Sequence, residues 1–85
     1  MKESTIRLGQ IYISPTVEKL IHPEDVQEAL RRHERCDWGD CSLFQKVIND
    51  RAVQSGDWII SEYHDRQGRK FTIDTRTYTS VTTLG

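Results

Sequence analysis

The sequence has little of what marks several classes of protein. It holds two cysteines in 85 residues, too few for a domain built on disulfides, and this favours a reducing cytoplasm. No apolar run approaches the roughly 18 residues that a membrane-spanning helix needs. The chain also has no large excess of charge of either sign, since it contains 12 Lys and Arg and 13 Asp and Glu. This balance disfavours a strongly basic binder of polyanions and a strongly acidic mimic of nucleic acid.

The residues that are present suffice for one small folded domain. Eighty-five residues lie far below the ~250 at which chains divide into domains. Leu, Ile, Val and Phe contribute 20 of them, enough for a single modest core in a chain of low net charge. We expect residues 6–84 to form this domain and the polar residues 1–5 to be disordered.

Two helices are predicted in the first part of the chain. Ser14 is an N-cap residue and Pro15 suits the first helical position, so a short helix starts there and ends at residue 20 or 21. Pro23 opens a second helix over 23–34, with acidic residues in its first turn. Its apolar side repeats at the spacing i, i+3, i+4, i+7 and consists of Val26, Ala29, Leu30 and His33.

A third helix follows the polar loop 36–41. Ser42 and Gln45 form a capping box ahead of this helix, which is predicted over 43–54, and Gly56 suits its C-terminal stop. An apolar stripe is the face that a helix normally turns to the core. Here the stripe is Phe44, Val47, Ile48 and Arg51 or Ala52.

The rest of the chain has the alternating pattern of strands. Residues 6–13 predict a first strand with a bulge at Gly9. After the helices, segments 57–64, 70–76 and 80–84 alternate likewise and are joined by short turns. We therefore expect an α+β fold: a small antiparallel sheet, made of the N-terminal strand and a three-stranded meander, with two to three helices on one face.

An ordered set of short motifs resembles a known family. The matching positions are Gly9-Gln10-Ile11, Arg32-His33, Asp37-Trp38-Gly39, Asn49-Asp50, Tyr63, Gly68, Lys70-Phe71 and Ser80-Val81-Thr82-Thr83. The chain resembles a family of small uncharacterised proteins of bacterial plasmids, integrative elements and phages, whose pattern includes Arg-His-x-x-Gly-Asp-Trp-Gly. Cys36 stands where that pattern has Gly, and Cys41 matches no family cysteine. The resemblance implies an accessory role in a mobile genetic element and no particular reaction.

The cysteines permit a metal-site hypothesis. His33, Cys36 and Cys41 are three potential zinc ligands within nine residues, and His22 or His64 could complete a tetrahedron. Zinc sites, however, generally use pairs of cysteines separated by two to four residues. The family pattern also has neither cysteine. We therefore expect no metal site, and the two thiols are interpreted as part of a plain loop.

A thiol-dependent hydrolase is a further hypothesis. Either cysteine with His33 and Asp37 or Asp40 supplies the residue types of a thiolate–imidazole pair. Such groups act when a scaffold arranges them around a cleft, and a chain of this size has little room for one. We expect no enzymatic activity and no cofactor.

The loop around Trp38 is instead expected to act as a structural staple. His33 falls at the end of the second helix, where an imidazolium complements the helix dipole. Trp38 is predicted to pack inward with its indole N–H bonded to a carbonyl. Asp37 and Asp40 suit Asx turns or caps, and Gly39 supplies the backbone freedom that the turn requires.

Two basic groups are candidates for contact with a partner. They are Arg31, Arg32 and Arg35 at the end of the second helix, and Arg66, Arg69 and Lys70 on a hairpin. The hairpin tip projects and its charges can steer an encounter, so it is the favoured contact, with Arg31 and Arg35 as a second candidate. Acidic neighbours offset the field that binding of nucleic acid would need.

These observations predict a protein that acts by binding. The expected partner is a host protein, foremost a nuclease complex of host defence, which would make the chain an anti-CRISPR-like inhibitor. A small DNA-binding or regulatory protein of a plasmid or phage is the alternative, and a thiol- or zinc-dependent hydrolase comes third. The sequence leaves the oligomeric state and the contacting surface open.

Overall fold

Three helices separate the first strand of the chain from the last three. The computed structural model describes residues 5–85, and its elements are β1 (Gln10–Ile13), α1 (Pro15–Leu20), α2 (Pro23–Glu34), α3 (Leu43–Ser55), β2 (Trp58–His64), β3 (Lys70–Arg76) and β4 (Val81–Leu84). The predicted α+β class is confirmed. The segment 1–5, predicted to be disordered, lies outside the described residues except for Thr5. No helix within 5–85 is long and apolar enough to cross a bilayer.

The four strands form one mixed sheet in the order β1-β4-β3-β2. The pairs β2–β3 and β3–β4 are antiparallel, which confirms the meander. The prediction of a wholly antiparallel sheet is wrong for β1, which lies parallel to β4, with Gln10 opposite Val81 and Ile13 opposite Leu84. No hairpin connects β1 to its neighbour. The chain between β1 and β4 runs through three helices and two strands, so no tight turn forces the two strands to be antiparallel, and side-chain alternation carries no information about direction.

The first strand starts four residues later than predicted. Gly9 has a φ of +64°, which breaks the pleat, so regular pairing begins at Gln10. The residues before it turn away from the sheet, and the Ile6 N–H donates to the carbonyl of Glu34 at 3.0 Å. Ile6 itself is buried beside Trp38. The apolar residues of 6–13 thus lie in two environments: Ile6 belongs to the core, and Ile11 and Ile13 belong to the exposed edge strand.

One face of the sheet carries the core. Alternate strand residues are buried on that face: Ile59, Ser61, Tyr63, Phe71, Ile73, Thr75, Thr82 and Leu84. The larger apolar cluster joins α1 and α2 to the strands through Val17, Ile21, Val26, Ala29, Leu30, Tyr63, Phe71, Ile73 and Leu84. A second cluster joins the N-terminal segment, the loop after α2, and α3 to β2 through Ile6, Trp38, Ala52 and Ile59.

The helix α2 ends in a Schellman motif centred on Cys36. The N–H of Asp37 donates to the carbonyl of Arg32 at 2.8 Å, and the N–H of Cys36 donates to that of His33 at 3.0 Å. This geometry needs a left-handed residue at the position after the cap, and Cys36 has a φ of +66°. A glycine would adopt the conformation without steric cost.

We predict that Cys36→Gly is more stable than Cys36→Ala by about 1 kcal/mol. Both variants lose the thiol, and they differ only in the Cβ atom that disfavours a positive φ. Urea denaturation of the pair measures the difference. An alanine variant as stable as the glycine variant would show that the left-handed conformation of residue 36 costs nothing.

Candidate functional site

The outer edge of β2 is closed by a side chain. The amide of Asn49 in α3 donates to the carbonyl of Ile60 at 2.7 Å and accepts from the Ile60 N–H at 3.2 Å. Asn49 is fully buried, and Gln45 donates to its oxygen at 3.0 Å. The thiol of Cys41 also donates to the Ile60 carbonyl. Asn49 thereby makes the two backbone bonds that a neighbouring strand would make.

The loop after α2 closes the next part of the same edge. The Glu62 N–H donates to the carbonyl of Trp38 at 3.3 Å, and the Asp40 N–H donates to the Glu62 carbonyl at 2.7 Å. Gly39 lies between these bonds with a φ of +68°. A Cβ atom on Gly39 would lie 2.2 Å from the Glu62 carbonyl oxygen, so both the conformation and the close approach require glycine.

Trp38 is buried and connects this loop to α3. Its side chain is 4% exposed, and its indole N–H donates to the carboxylate of Asp50 at 2.9 Å. The partner is therefore a carboxylate and not the carbonyl that was expected. The indole also meets the His33 ring edge-on, with 5.9 Å between centroids. Trp38 contributes apolar contact and one charge-assisted hydrogen bond to the same junction.

Arg32 and Asp37 hold the start of the loop against the sheet. The guanidinium donates to the Asp37 carboxylate from Nε at 2.8 Å and from Nη2 at 3.3 Å, and these bonds hold the pKa of Asp37 below its usual value. The same guanidinium lies 5.0 Å from the centroid of the Tyr63 ring. The Tyr63 hydroxyl donates to the Asp37 carbonyl at 2.6 Å, and burial raises the pKa of that hydroxyl.

His33 lies inside the sheet–helix interface, at the start of a buried chain of hydroxyl groups. Its Nδ1 contacts Ser61 Oγ at 2.5 Å, and its Nε2 contacts Thr75 Oγ1 at 2.8 Å. Thr75 Oγ1 is 2.7 Å from Thr82 Oγ1, and the Thr82 hydroxyl donates to the Leu8 carbonyl.

The end of this chain determines the direction of every hydrogen bond in it. Because the Thr82 proton goes to a carbonyl, Thr75 must donate to Thr82, and His33 must then donate to Thr75 from Nε2. A neutral ring has a single N–H, so Nδ1 accepts from Ser61. Burial lowers the pKa of His33 to about 4, and the ring is neutral at pH 7. The expectation of an imidazolium at the helix end is wrong, because the ring points into the core.

The Ser61–His33 pair resembles a nucleophile and its base, yet both side chains are fully buried. A substrate cannot reach either group in this conformation. Burial is also the main cause that raises the thiol pKa of Cys36 and of Cys41, which leaves both in the protonated, weakly nucleophilic form. Across residues 5–85, no three His, Cys, Asp or Glu side chains come together in a way that could hold a metal.

The basic hairpin folds against the helices. Arg66 donates to Asp25 at 3.0 Å and to Glu24 at 3.2 Å, both at the start of α2, and its hydrogen bonds lower the pKa of Asp25. Arg69 donates to the carbonyl of Leu20 at 3.1 Å. Lys70 is exposed. Arg66 and Arg69, two of the three hairpin residues predicted to contact a partner, therefore bind groups within the chain itself.

The second basic candidate lies at the end of α2. Arg31 donates to Glu28 at 3.2 Å, and both side chains are largely exposed. Arg35 is exposed as well, whereas Arg32 belongs to the Asp37 bridge. Exposed pairs of this kind contribute little to stability. The acidic partners also reduce the positive potential that a phosphate backbone would meet.

The apolar stripe of α3 faces away from the protein. Leu43 and Phe44 are 78% and 75% exposed, and Val47 and Ile48 are 45% and 38% exposed. The helix instead turns Asn49 and Ala52 to β2. The predicted orientation of this helix is therefore wrong for Phe44, Val47 and Ile48, whereas Ala52, at the border of the predicted stripe, is buried. The sequence does contain a second set of residues at helical spacing, Gln45, Asn49, Ala52 and Val53, but the larger apolar residues of the other set predict burial of their own side.

We predict that the stability of the fold decreases as the pH falls from about 7 toward 4. His33 has a pKa of about 4 when folded and 6.5 as a free side chain, so the unfolded chain binds more protons in this range. The loss reaches about 3 kcal/mol near pH 4. Urea denaturation at several pH values measures it, with His64→Gln as a control that keeps the dependence. Equal stability at about pH 7 and pH 5 would contradict a buried, neutral His33.

Family models, curated protein sequences and solved structures were all compared with this chain, and none matches it.

The residues of the Arg32–Gly39 segment, with Asn49 and Asp50, form hydrogen bonds that hold the fold together. Their side chains make those bonds to one another and to the sheet.

Proposed function

We propose that this chain acts by binding another protein through an exposed apolar surface, the α3 face, made of Leu43, Phe44, Val47 and Ile48. The observation that carries this proposal is their exposure on one side of a helix whose other side is already attached to β2. Large apolar side chains grouped in this way mark interaction surfaces in soluble proteins. A single exposed leucine would need no such explanation.

The attachment of α3 makes this surface permanent. Asn49 is bound to the backbone of Ile60 on both its donor and its acceptor side. Rotating the helix to bury Phe44 would break both bonds and leave the N–H and C=O of Ile60 without these partners. The apolar residues consequently stay outside, and contact with a partner is the way in which they leave water.

The spacing of the α3 face suits a helix that binds in a groove. Its four residues follow i, i+1, i+4 and i+5, which places them on two successive turns of one side. The expected partner presents an apolar cleft that receives Phe44 as its anchor, since buried aromatic residues contribute most at such contacts. Arg51 is exposed and follows Val47 by one turn on the same side, so it suits a polar rim at the C-terminal end of the stripe.

The class of partner is proposed from the resemblance to proteins of mobile genetic elements. For such a protein we propose a cytoplasmic host target, foremost a nuclease complex of host defence, which the chain would inhibit without catalysis. Binding to DNA is the alternative. Arg66 and Arg31 both have acidic partners, and this favours a protein target over a nucleic acid.

We predict that Phe44→Ser with Val47→Ser weakens binding to a purified host nuclease complex by a factor of about ten or more. Both side chains are exposed, so the melting temperature should change little. Titration of nuclease activity with the parent should give stoichiometric inhibition, and the double variant should lose it. Tyr78→Ser, at another exposed aromatic residue, is the matched control and should inhibit like the parent.

A second double variant distinguishes binding to a protein from the alternative, binding to DNA. Arg35→Glu with Lys70→Glu reverses exposed charges outside the α3 face, and it should leave inhibition unchanged. Loss of binding in this charge variant, with normal binding by the serine variant, would contradict the proposal. Salt-sensitive retention of the parent on DNA would then identify nucleic acid as the partner.

A further inference from the structure

The two edges of the sheet are treated differently. At the β2 edge, Asn49 and the loop at Trp38 bond to the outward backbone groups of Ile60 and Glu62. At the other edge lies β1, whose four residues are all exposed. Among the described residues, no side chain or loop covers the outer side of β1. An uncovered edge strand is a template for pairing with another strand.

The pairing of β1 with β4 identifies the backbone groups that remain free. The Gln10 N–H donates to the Ser80 carbonyl and the Ser14 N–H donates to the Leu84 carbonyl, each at 2.9 Å. Alternate residues of a strand point their backbone groups to the same side. Residues 10, 12 and 14 therefore bond to β4, and the N–H and C=O groups of Ile11 and Ile13 point outward.

The side chains of β1 also lack the usual protection of an edge. The strand is Gln-Ile-Tyr-Ile and contains no charged residue and no proline. Ile11, Tyr12 and Ile13 are 41%, 52% and 41% exposed. Natural edge strands that must stay unpaired carry lysine, proline or a bulge at such positions. This strand has the composition of one that is paired.

We propose that β1 pairs antiparallel with β1 of a second copy of this chain, about a two-fold axis at Tyr12. In this register Ile11 lies opposite Ile13 of the second copy, and Ile13 opposite its Ile11. Each of these two pairs exchanges two N–H···O bonds, so four bonds use all eight outward groups of the two strands. The two sheets become one sheet of eight strands.

The strand is self-complementary in this register and in no other. Gly9, with its φ of +64°, ends the regular strand on one side, and Pro15 opens α1 on the other. A shift of the axis to Ile11 would place Ile13 opposite Gly9 of the second copy and leave its groups poorly paired. The absence of charge in β1 means that two identical strands meet without repulsion, which favours a second copy over a charged partner strand.

The side chains fit this arrangement as well. Ile11 and Ile13 lie on the helix-covered side of the sheet, opposite Thr82 and Leu84 in the register. Beside Ile13 is a mainly apolar cleft of about 130 Å³, which Ile21 and Val26 help to line. Ile11 of the second copy would lie next to this cleft. On the other side, the two Tyr12 rings would form a cross-strand aromatic pair at the axis.

The mass in solution tests the proposal. Sedimentation of the parent from about 10 µM to about 1 mM should give twice the 9.9 kDa of one chain, at least at the upper concentrations. Ile11→Lys places a charge at the paired edge and should give the mass of a single chain with an unchanged circular dichroism spectrum. Leu43→Lys, the same change on the α3 face, should keep the dimer.

A cross-link tests the register independently of these variants. Tyr12→Cys places two thiols opposite each other at a non-hydrogen-bonded pair, where the Cβ atoms are close enough for a disulfide. Mild oxidation should give a covalent dimer, whereas Tyr78→Cys and the parent should not. A parent that stays a single chain at every concentration would overturn the proposal. The proposal would also be overturned if the parent forms a dimer that Leu43→Lys dissociates and Ile11→Lys leaves intact.

Discussion

The bond between the Asn49 amide and the backbone of Ile60 is the interaction on which the rest of the structure depends. It closes the outer edge of β2, and in doing so it determines which side of α3 faces the sheet. A buried backbone group without a partner costs about 1–3 kcal/mol, so a polar residue at position 49 outweighs the pull of the apolar stripe on the opposite side. The exposed α3 face is a direct consequence of closing that edge.

The motif residues have a shared structural task. Arg32, Asp37 and Tyr63 hold the loop after α2. Trp38 connects this loop to α3, and His33 links α2 to β2 and β3. Within residues 5–85, no buried side-chain polar atom lacks a hydrogen bond. A network this complete specifies one arrangement of helices on the sheet. The exposed apolar residues of α3 and of β1 lie outside this network.

Local signals made much of this fold predictable from the sequence. Ser14, Pro15, Ser42 and Gly56 mark helix ends through bonds to residues nearby, and the predicted helices begin where expected. Long-range pairing was not predictable. The direction of β1 depends on a strand some 70 residues away, and the burial of Asn49 depends on β2.

The charged hairpin illustrates the same limit. Arg66 meets Asp25 across 41 residues of sequence, and nothing in the composition of either segment indicates that pair. The candidate site was predicted in part for the same reason. Turn chemistry and aromatic content indicated that Trp38 and Gly39 are structural. The exposure of the α3 face could not be predicted, because it depends on which side of α3 contacts β2.

Hydrogen exchange at the Ile60 amide tests the central claim most directly. If Asn49 takes the place of a neighbouring strand, this amide should exchange only when the whole protein unfolds, as slowly as amides of the central strand β3. Replacement of Asn49 by alanine should make Ile60 exchange faster relative to β3 in the same sample. An Ile60 amide that exchanges in the parent as fast as an open edge would contradict the account.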